Sequence, residues 1–263
     1  MILTIDVGNS HIVMGCYEGK QLAFTERIST DLHRTELEYA IIFRAVFRMH
    51  KIPEQSLEGA VISSVVPPMV TVLHGAITKI APDIRIFTAD STSPSNVAVI
   101  IDDPAQAGSD LVIAATAAAE KYGAPVIIIN FGTATTISLV DQYKCYVGGA
   151  ILPGVQLSLD SLVSGTAQLP GISLHRPERV MGTNTVDSMR SGVVFGNAAA
   201  IDGMIDRIWR ERGYESTALA ATGDIADVII PCCRHRITVD NELPLHGLRL
   251  FYDIMTEEDA SCC

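Results

Sequence analysis

Ile2-Leu3-Thr4-Ile5-Asp6-Val7-Gly8-Asn9-Ser10 sets an apolar run directly before a carboxylate and a glycine turn. Such a run reads as a buried strand. Gly8 permits backbone torsions that a side chain would forbid, and Asn9 and Ser10 add amide and hydroxyl donors, so the turn can gather N–H groups around an anion. Asp6, at the strand end, is then a candidate Mg²⁺ ligand beside a phosphate. An ordinary hairpin with an Asp-x-Gly-Asn turn fits this stretch equally well.

The pattern recurs. Val126-Ile127-Ile128-Ile129-Asn130-Phe131-Gly132-Thr133-Ala134-Thr135-Thr136 is again an apolar run, an Asx residue, x-Gly and a hydroxyl residue. Each copy continues into another strand, Ile12 to Tyr17 and Thr136 to Val140, and then reaches a polar turn. This spacing is too long for a solenoid and implies two related halves, with two glycine turns facing each other across a cleft that takes phosphates.

The chain has 263 residues, 48% of them hydrophobic, which suffices for one or two domains with a substantial core. No apolar run reaches the roughly 18 residues of a membrane span, and the N-terminus lacks the basic region of a secretory signal, so a cytoplasmic protein is expected. Six cysteines, among them the adjacent pairs Cys232-Cys233 and Cys262-Cys263, form no C-x-x-C and suggest reduced thiols. A formal net charge of −11 argues against nucleic acid as a partner, because phosphate-backbone binding needs a basic face.

Outward from the first turn, Gln21 to Ile28 reads as a third strand of the opening meander. A helix follows, with Thr35 and Glu38 as a capping box and Leu37, Ile41, Ala45 and Met49 at four-residue steps along one face. Ala60 to Val66 reads as a buried strand, and Pro67-Pro68 opens a helix turning Val70, Leu73, Ile77 and Ile80 inward. The segment from Thr88 to Gln106 is loop with one strand. Ser109 is read as the N-cap of an alanine-rich helix ending near Lys121, which puts Asp110 in the first turn. There the helix dipole favours an ionised carboxylate, suited to taking a proton from a substrate hydroxyl; aspartate is also common at this position for structural reasons alone.

The glycines of Gly148-Gly149-Ala150-Ile151-Leu152-Pro153-Gly154 imply close approach to a ligand or another chain. Thr185 is read as the N-cap of a long helix from Val186 to Arg212, with Met189, Val193, Ala200, Met204 and Ile208 at helical spacing. Gly192 and Gly196 lie one turn apart and serve either packing within the chain or a seam between two copies. Thr222 and Gly223 end another strand and are candidate nucleotide contacts. The seven histidines show no ligand spacing, and His11 reads as a solvent-facing turn residue. A last helix is expected near Leu245 to Met255, followed by a frayed acidic tail from Thr256 to Cys263.

Together these segments resemble the type III pantothenate kinases of the acetate and sugar kinase, Hsc70 and actin superfamily. The matches are Asp6-Val7-Gly8-Asn9, Arg27 to Asp31, Ser63 to Pro68, Gly108-x-Asp110, Phe131 to Thr136, Gly148 to Gly154, Asn184-Thr185 and Leu245-x-Gly247-Leu248-Arg249-Leu250. The resemblance implies an α/β fold of two ribonuclease-H-like, actin-like ATPase domains, placed at 1–118 and 119–263, and a homodimer. It implies transfer of the ATP γ-phosphoryl group to pantothenate, giving 4′-phosphopantothenate, the first step of coenzyme A biosynthesis. Asp6, Val7, Gly8, Asn9, Ser10, His11, Ile12 and Val13 would hold ATP and Mg²⁺, and Thr133 would belong to the second phosphate loop. Asp110 matches the proton acceptor. Ile101, Gly108, Ser109, Asp110, Leu111 and Thr185 align with pantothenate-binding positions, and Asn130 with the site of a monovalent cation, K⁺ or NH₄⁺.

The chain departs from the family pattern where Leu111 replaces arginine, Asn130 replaces aspartate, Asp224 replaces glycine and Ile101 replaces an aromatic residue. Two other readings stand beside a working pantothenate kinase. One is a nucleotide-binding accessory or regulatory paralogue with a degenerate site; the other is a kinase of an uncharged hydroxyl compound, which would account for Leu111.

Overall fold

Two sheets share one design. The structure, a computed structural model, describes residues 1–90 and 93–261. Cys262 and Cys263 of the expected tail, and 91–92 within the expected loop, lie outside the described residues. The chain divides into one unit made of Met1–Ala117 with the stretch from Glu242 onward, and a second made of Ala118–Asn241.

In the first unit, β1 (Ile2–Val7), β2 (His11–Glu18) and β3 (Gln21–Ser29) form an antiparallel meander. Helix α1 (Glu36–Met49), β4 (Gly59–Ser64), α2 (Pro67–Ile80) and β5 (Arg85–Ala89) follow. β4 pairs parallel with β1 and β5 parallel with β4, so the strand order is 3-2-1-4-5. The two-residue strand β6 (Ala98–Val99) and helix α3 (Ser109–Tyr122) come next.

The second unit repeats the order. β7 (Val126–Phe131), β8 (Ala134–Val140) and β9 (Cys145–Pro153) are antiparallel neighbours. After α4 (Val155–Ser164) and α5 (Thr185–Arg212), β10 (Ala218–Gly223) adds parallel to β7. The four-residue helix α6 (Ala226–Ile229) precedes β11 (Thr238–Val239), which is parallel to β10. The chain ends in α7 (Leu243–Ser261). Antiparallel pairs arise from tight turns and parallel pairs from helical crossovers, so the same sequence of connections makes the same sheet twice. The expected duplication of a ribonuclease-H-like unit is present.

β1 and β7 are near-continuous apolar runs because both faces are covered; Leu3, Ile5, Ile127 and Ile129 are fully buried. Besides the fully buried Thr4, the exceptions are Asp6 and Asn130, one residue before each strand's end and only half-buried. α1 has the capping box of Thr35 and Glu38. Its buried face, however, is Tyr39, Ala40, Phe43, Val46 and Phe47, while Leu37, Ile41 and Met49 are exposed. Two apolar stripes compete at the same spacing, and the aromatic one buries more area. On α2 the inward residues are Met69, Leu73, Ala76, Ile77 and Ile80, with Val70 at the margin.

α5 starts one residue earlier than expected: Asn184, not Thr185, is the N-cap, its side chain accepting from the Asp187 N–H. The helix stops at Gly213, which has φ +70°. Val194, Ala198, Ile201 and Ile205 form its buried stripe, flanked by half-buried Val193, Met204 and Ile208. A Cβ at Gly192 or Gly196 would meet nothing within 4 Å, so these glycines do not serve packing inside the chain.

The final helix is longer than expected and continues through Ser261 in place of a frayed tail. It was expected in the second domain, but Leu245, Leu248, Phe251 and Tyr252 pack with Ile2, Tyr17, Val61 and Ile113 of the first unit. Gly59 makes room for it, since a Cβ there would lie 2.0 Å from the Tyr252 hydroxyl. Among the described residues no helix is long and apolar enough to cross a membrane.

Candidate functional site

The first unit gathers its candidate residues at the carboxyl ends of β1 and β4. The β1–β2 turn closes through the Gly8 N–H, which donates to the His11 carbonyl at 2.9 Å. Thr30 braces the turn from outside: its hydroxyl donates to the Gly8 carbonyl at 2.7 Å and its N–H to the Ser10 carbonyl at 3.0 Å. The Gly8, Ser10 and His11 carbonyls are thus occupied, while the Asn9 and Ser10 N–H groups have no backbone partner among the described residues. That asymmetry suits an anion. His11 is not a solvent-facing turn residue; it is half-buried, opens β2, and its Nδ1 accepts from Arg27 at 2.7 Å. Ile12 is fully buried beneath the turn, and Val13 pairs with Asp6.

Asp6 also pairs in register with the buried Ser63 of β4. The Ser63 hydroxyl lies 3.1 Å from that of Ser109, the first residue of α3. Ser109 is therefore not an N-cap. The helical ladder starts at the Gly108 carbonyl, which accepts from the Leu111 and Val112 N–H groups. Asp110 folds back over Gly108, where a Cβ would lie 2.4 Å from its Oδ1, so position 108 must be glycine if the carboxylate is to keep this place. Burial raises the Asp110 pKa, although hydrogen bonds from its own N–H and that of Leu111 oppose the shift. The expected preference of the helix terminus for the ionised form is real and is outweighed by desolvation. Asp6 is pushed up to about 7, by burial first and by the charge of Asp110 second. Ile101 and Leu111 are half-buried.

The second unit builds a parallel set. Its turn closes through the Gly132 N–H, which donates to the Ala134 carbonyl at 3.1 Å, and leaves Thr133 exposed. Two of the glycines before α4 make close approaches within this chain. A Cβ at Gly149 would lie 2.3 Å from the Ile137 carbonyl oxygen, and one at Gly154 would lie 2.1 Å from that of Thr133. Gly154 thereby fixes the second turn. Gly154→Ala is expected to cost about 1–3 kcal/mol of stability and to weaken any phosphate binding at Thr133; thermal melts and nucleotide titrations would check both.

Thr222 is buried beside Asn130, its register partner. Gly223 has φ +107°, and a Cβ there would lie 2.3 Å from the Phe131 carbonyl oxygen. Its N–H donates to the Asn241 side chain at 3.1 Å and is therefore committed within the chain. Asp224 and Thr185 are both exposed. Thr30 and Ser63 belong to these clusters although sequence reading gave neither a role; Thr30 was visible only as part of the Arg27 to Asp31 motif.

Solved structures place the duplicated sheets in a known class. Component A of the (R)-2-hydroxyglutaryl-CoA dehydratase of Acidaminococcus fermentans matches with a TM-score of 0.58 at 11% identity, covering 95% of this chain and 96% of that one. At that identity the likeness concerns the fold alone, two ribonuclease-H-like domains. The family model described as type III pantothenate kinase matches residues 2–207. The type III pantothenate kinase of Exiguobacterium sibiricum is 40% identical over 253 residues, 96% of this chain and 99% of that protein. That of Brevibacillus brevis is 37% identical over 255 residues, 96% of this chain and 98% of its own length. The chain belongs to the type III pantothenate kinase family.

Proposed function

We propose that this chain transfers the γ-phosphoryl group of ATP to the primary hydroxyl of pantothenate, forming 4′-phosphopantothenate and opening coenzyme A biosynthesis. The observation that carries the reading is the Asp110 carboxyl, held over Gly108 at the start of α3 beside Asp6. In this role Asp110 accepts the hydroxyl proton, and the turns at Gly8 and Gly132 hold phosphate oxygens through backbone N–H groups. Phosphoryl transfer asks a protein mainly for alignment and charge stabilisation, which such turns supply.

Mg²⁺ fits the first cluster. Two neighbouring carboxylates repel each other, and a divalent cation with its preference for hard oxygen ligands relieves that repulsion. Asp6 would hold it, and once bound it would shield the negative charge of the phosphates. Asn130 is the position at which the resemblance implies K⁺ or NH₄⁺. Gly108, Ser109, Leu111, Ile101 and Thr185 are assigned to pantothenate. A cytoplasmic location goes with this reading, since the free thiols of Cys16, Cys145, Cys232 and Cys233 suit a reducing compartment.

The direct test is ADP release by purified protein with Mg·ATP, with and without pantothenate. Pantothenate-dependent release supports the reading; Mg·ATP binding without turnover favours an accessory protein instead. Leu111 supplies no charge for the substrate carboxylate. Leu111→Arg is therefore expected to lower the pantothenate KM about 10-fold or more, from the roughly 1.5–3 kcal/mol typical of a charged hydrogen bond. An unchanged KM would remove position 111 from the substrate site.

A homodimer goes with the same reading. Gly192 and Gly196 open onto empty space, and Ile151, Leu157, Leu162, Val180 and Met181 of the same unit are exposed. Bare small residues and exposed apolar side chains suit burial against a second copy. Sedimentation at micromolar concentration is expected to give a dimer, and a monomer would overturn the assignment.

A further inference from the structure

The ends of β8, β7 and β10 carry a row of three polar residues: Thr136 pairs with Asn130, and Asn130 with Thr222. Residues paired in register project on the same face of a sheet, so these side chains stand side by side. The Thr136 hydroxyl is buried with no hydrogen-bond partner. Among the described residues, no hydrogen bond involves the Asn130 amide. Buried polar groups in folded proteins are nearly always paired, so an orphan hydroxyl next to an uncommitted amide, at the edge of the second turn, marks a place where something binds.

The row differs from its counterpart in the first unit in one chemical respect. There the same three register positions are Val13, Asp6 and Ser63, with a carboxylate at the centre. Here the centre is an amide and the whole row is neutral. Neutral oxygens can take over the hydration of a monovalent cation, but a row without a carboxylate holds the ion less tightly than one with a carboxylate at its centre. An asparagine side chain instead has a donating end and an accepting end. Its Oδ1 can accept from a neighbouring threonine hydroxyl while its Nδ2 hydrogens point to an anionic oxygen. Both threonine hydroxyls can donate as well. The row keeps oxygens that could ligate the implied cation, but its amide hydrogens let it meet an anionic oxygen directly, which a carboxylate cannot do.

We infer that Asn130 makes this chain independent of monovalent cations, its amide N–H bonding a phosphate oxygen of the nucleotide where an ion would otherwise bridge. The inference rests on the reading of the Gly132–Thr133 turn as a phosphate site. It is tested by calorimetric titration of Mg·ATP into the full-length protein, with either potassium or tetramethylammonium as the sole monovalent cation. Tetramethylammonium is too large to enter an ion site and has no N–H to donate.

Wild type is expected to bind with the same Kd in both buffers, within about 2-fold. Asn130→Asp restores a charge that repels phosphate unless an ion intervenes, and is expected to bind about 10-fold or more weakly in tetramethylammonium and to recover with potassium. Asn130→Ala is expected to bind about 10-fold more weakly in both buffers, without rescue by potassium. A wild-type affinity that falls about 10-fold or more when potassium is withdrawn would overturn the inference while leaving the nucleotide site intact. Absence of Mg·ATP binding in either buffer would overturn the phosphate assignment of the turn, and the inference with it.

Discussion

Asp6→Asn is expected to melt above the wild-type chain at pH 8 and to lose Mg·ATP binding. Burial and the charge of Asp110 together raise the Asp6 pKa from 3.8 to about 7. A carboxyl whose pKa is higher in the folded than in the unfolded state destabilises the fold wherever it is ionised. For Asp6 that penalty is fully present above about pH 7, shrinks as the pH falls, and vanishes below 3.8, where both states are protonated. Each pKa unit corresponds to roughly 1.4 kcal/mol, but Asp6 is only half-buried and solvent reduces the effect, so about 1–2 kcal/mol is expected. For a chain of this size that amounts to about 2–6 °C in melting temperature. The gain should be smaller at pH 5, where the folded carboxyl is already neutral while the unfolded one is still ionised, and should disappear only below about 3.8. A variant no more stable at pH 8, or equally stabilised at pH 5 and pH 8, would remove Asp6 from a strained buried site. Stability and binding move in opposite directions because the carboxylate disfavours the empty protein and favours a cation-bound one.

The same tension explains why the site's outline was legible in the sequence. Asp6 and Asn130 each place a half-buried polar side chain near the end of an apolar run, unlike the buried Thr4, whose hydroxyl is satisfied by the Gly15 carbonyl. Repetition of that pattern, followed both times by x-Gly, identified the duplication before any strand order was known. Other features had no local signature. Ser63 meets Ser109 across 46 positions of sequence, and a serine in a buried strand says nothing of so distant a partner. The stripe of Leu37, Ile41 and Met49 is a correct helical spacing on the wrong face, since Tyr39, Phe43 and Phe47 repeat at the same step and win the core. The C-terminal helix shows an apolar face, but spacing cannot tell which sheet the face covers. The missing Cβ of Gly59 opposite Tyr252 is one mark of its destination, and it is readable only in three dimensions. Glycines carry a related ambiguity. A run rich in glycine announces close approach without naming the neighbour, and at Gly149 and Gly154 the neighbour is the chain's own backbone.

Asp110→Asn is expected to cut turnover by about 10²–10⁴-fold while leaving Mg·ATP affinity nearly unchanged and the melting temperature at neutral pH no lower than that of wild type, since it removes a carboxylate that burial disfavours. Asparagine has the shape of aspartate, and its Oδ1 can still accept from the N–H groups of residues 110 and 111 that hold the native carboxylate. The start of α3 therefore keeps its geometry, with glycine at 108 still giving the side chain room. The capacity to take a proton is what disappears. Because burial raises the Asp110 pKa, its base form should be lost at a higher pH than for an ordinary carboxylate. In wild type kcat/KM should accordingly fall on the acid side along a limb lying above the usual carboxylate range, and the residual activity of Asp110→Asn should lack that limb. If the variant retained turnover within about 10-fold of wild type, positioning alone would account for the rate and Asp110 would not be the proton acceptor. If instead the melting temperature collapsed, the carboxylate would be serving the helix start. Gly108→Ala, which denies the side chain its place without touching its charge, separates these roles: loss of turnover with an intact fold would show that the position of the carboxylate over residue 108 is what the reaction uses.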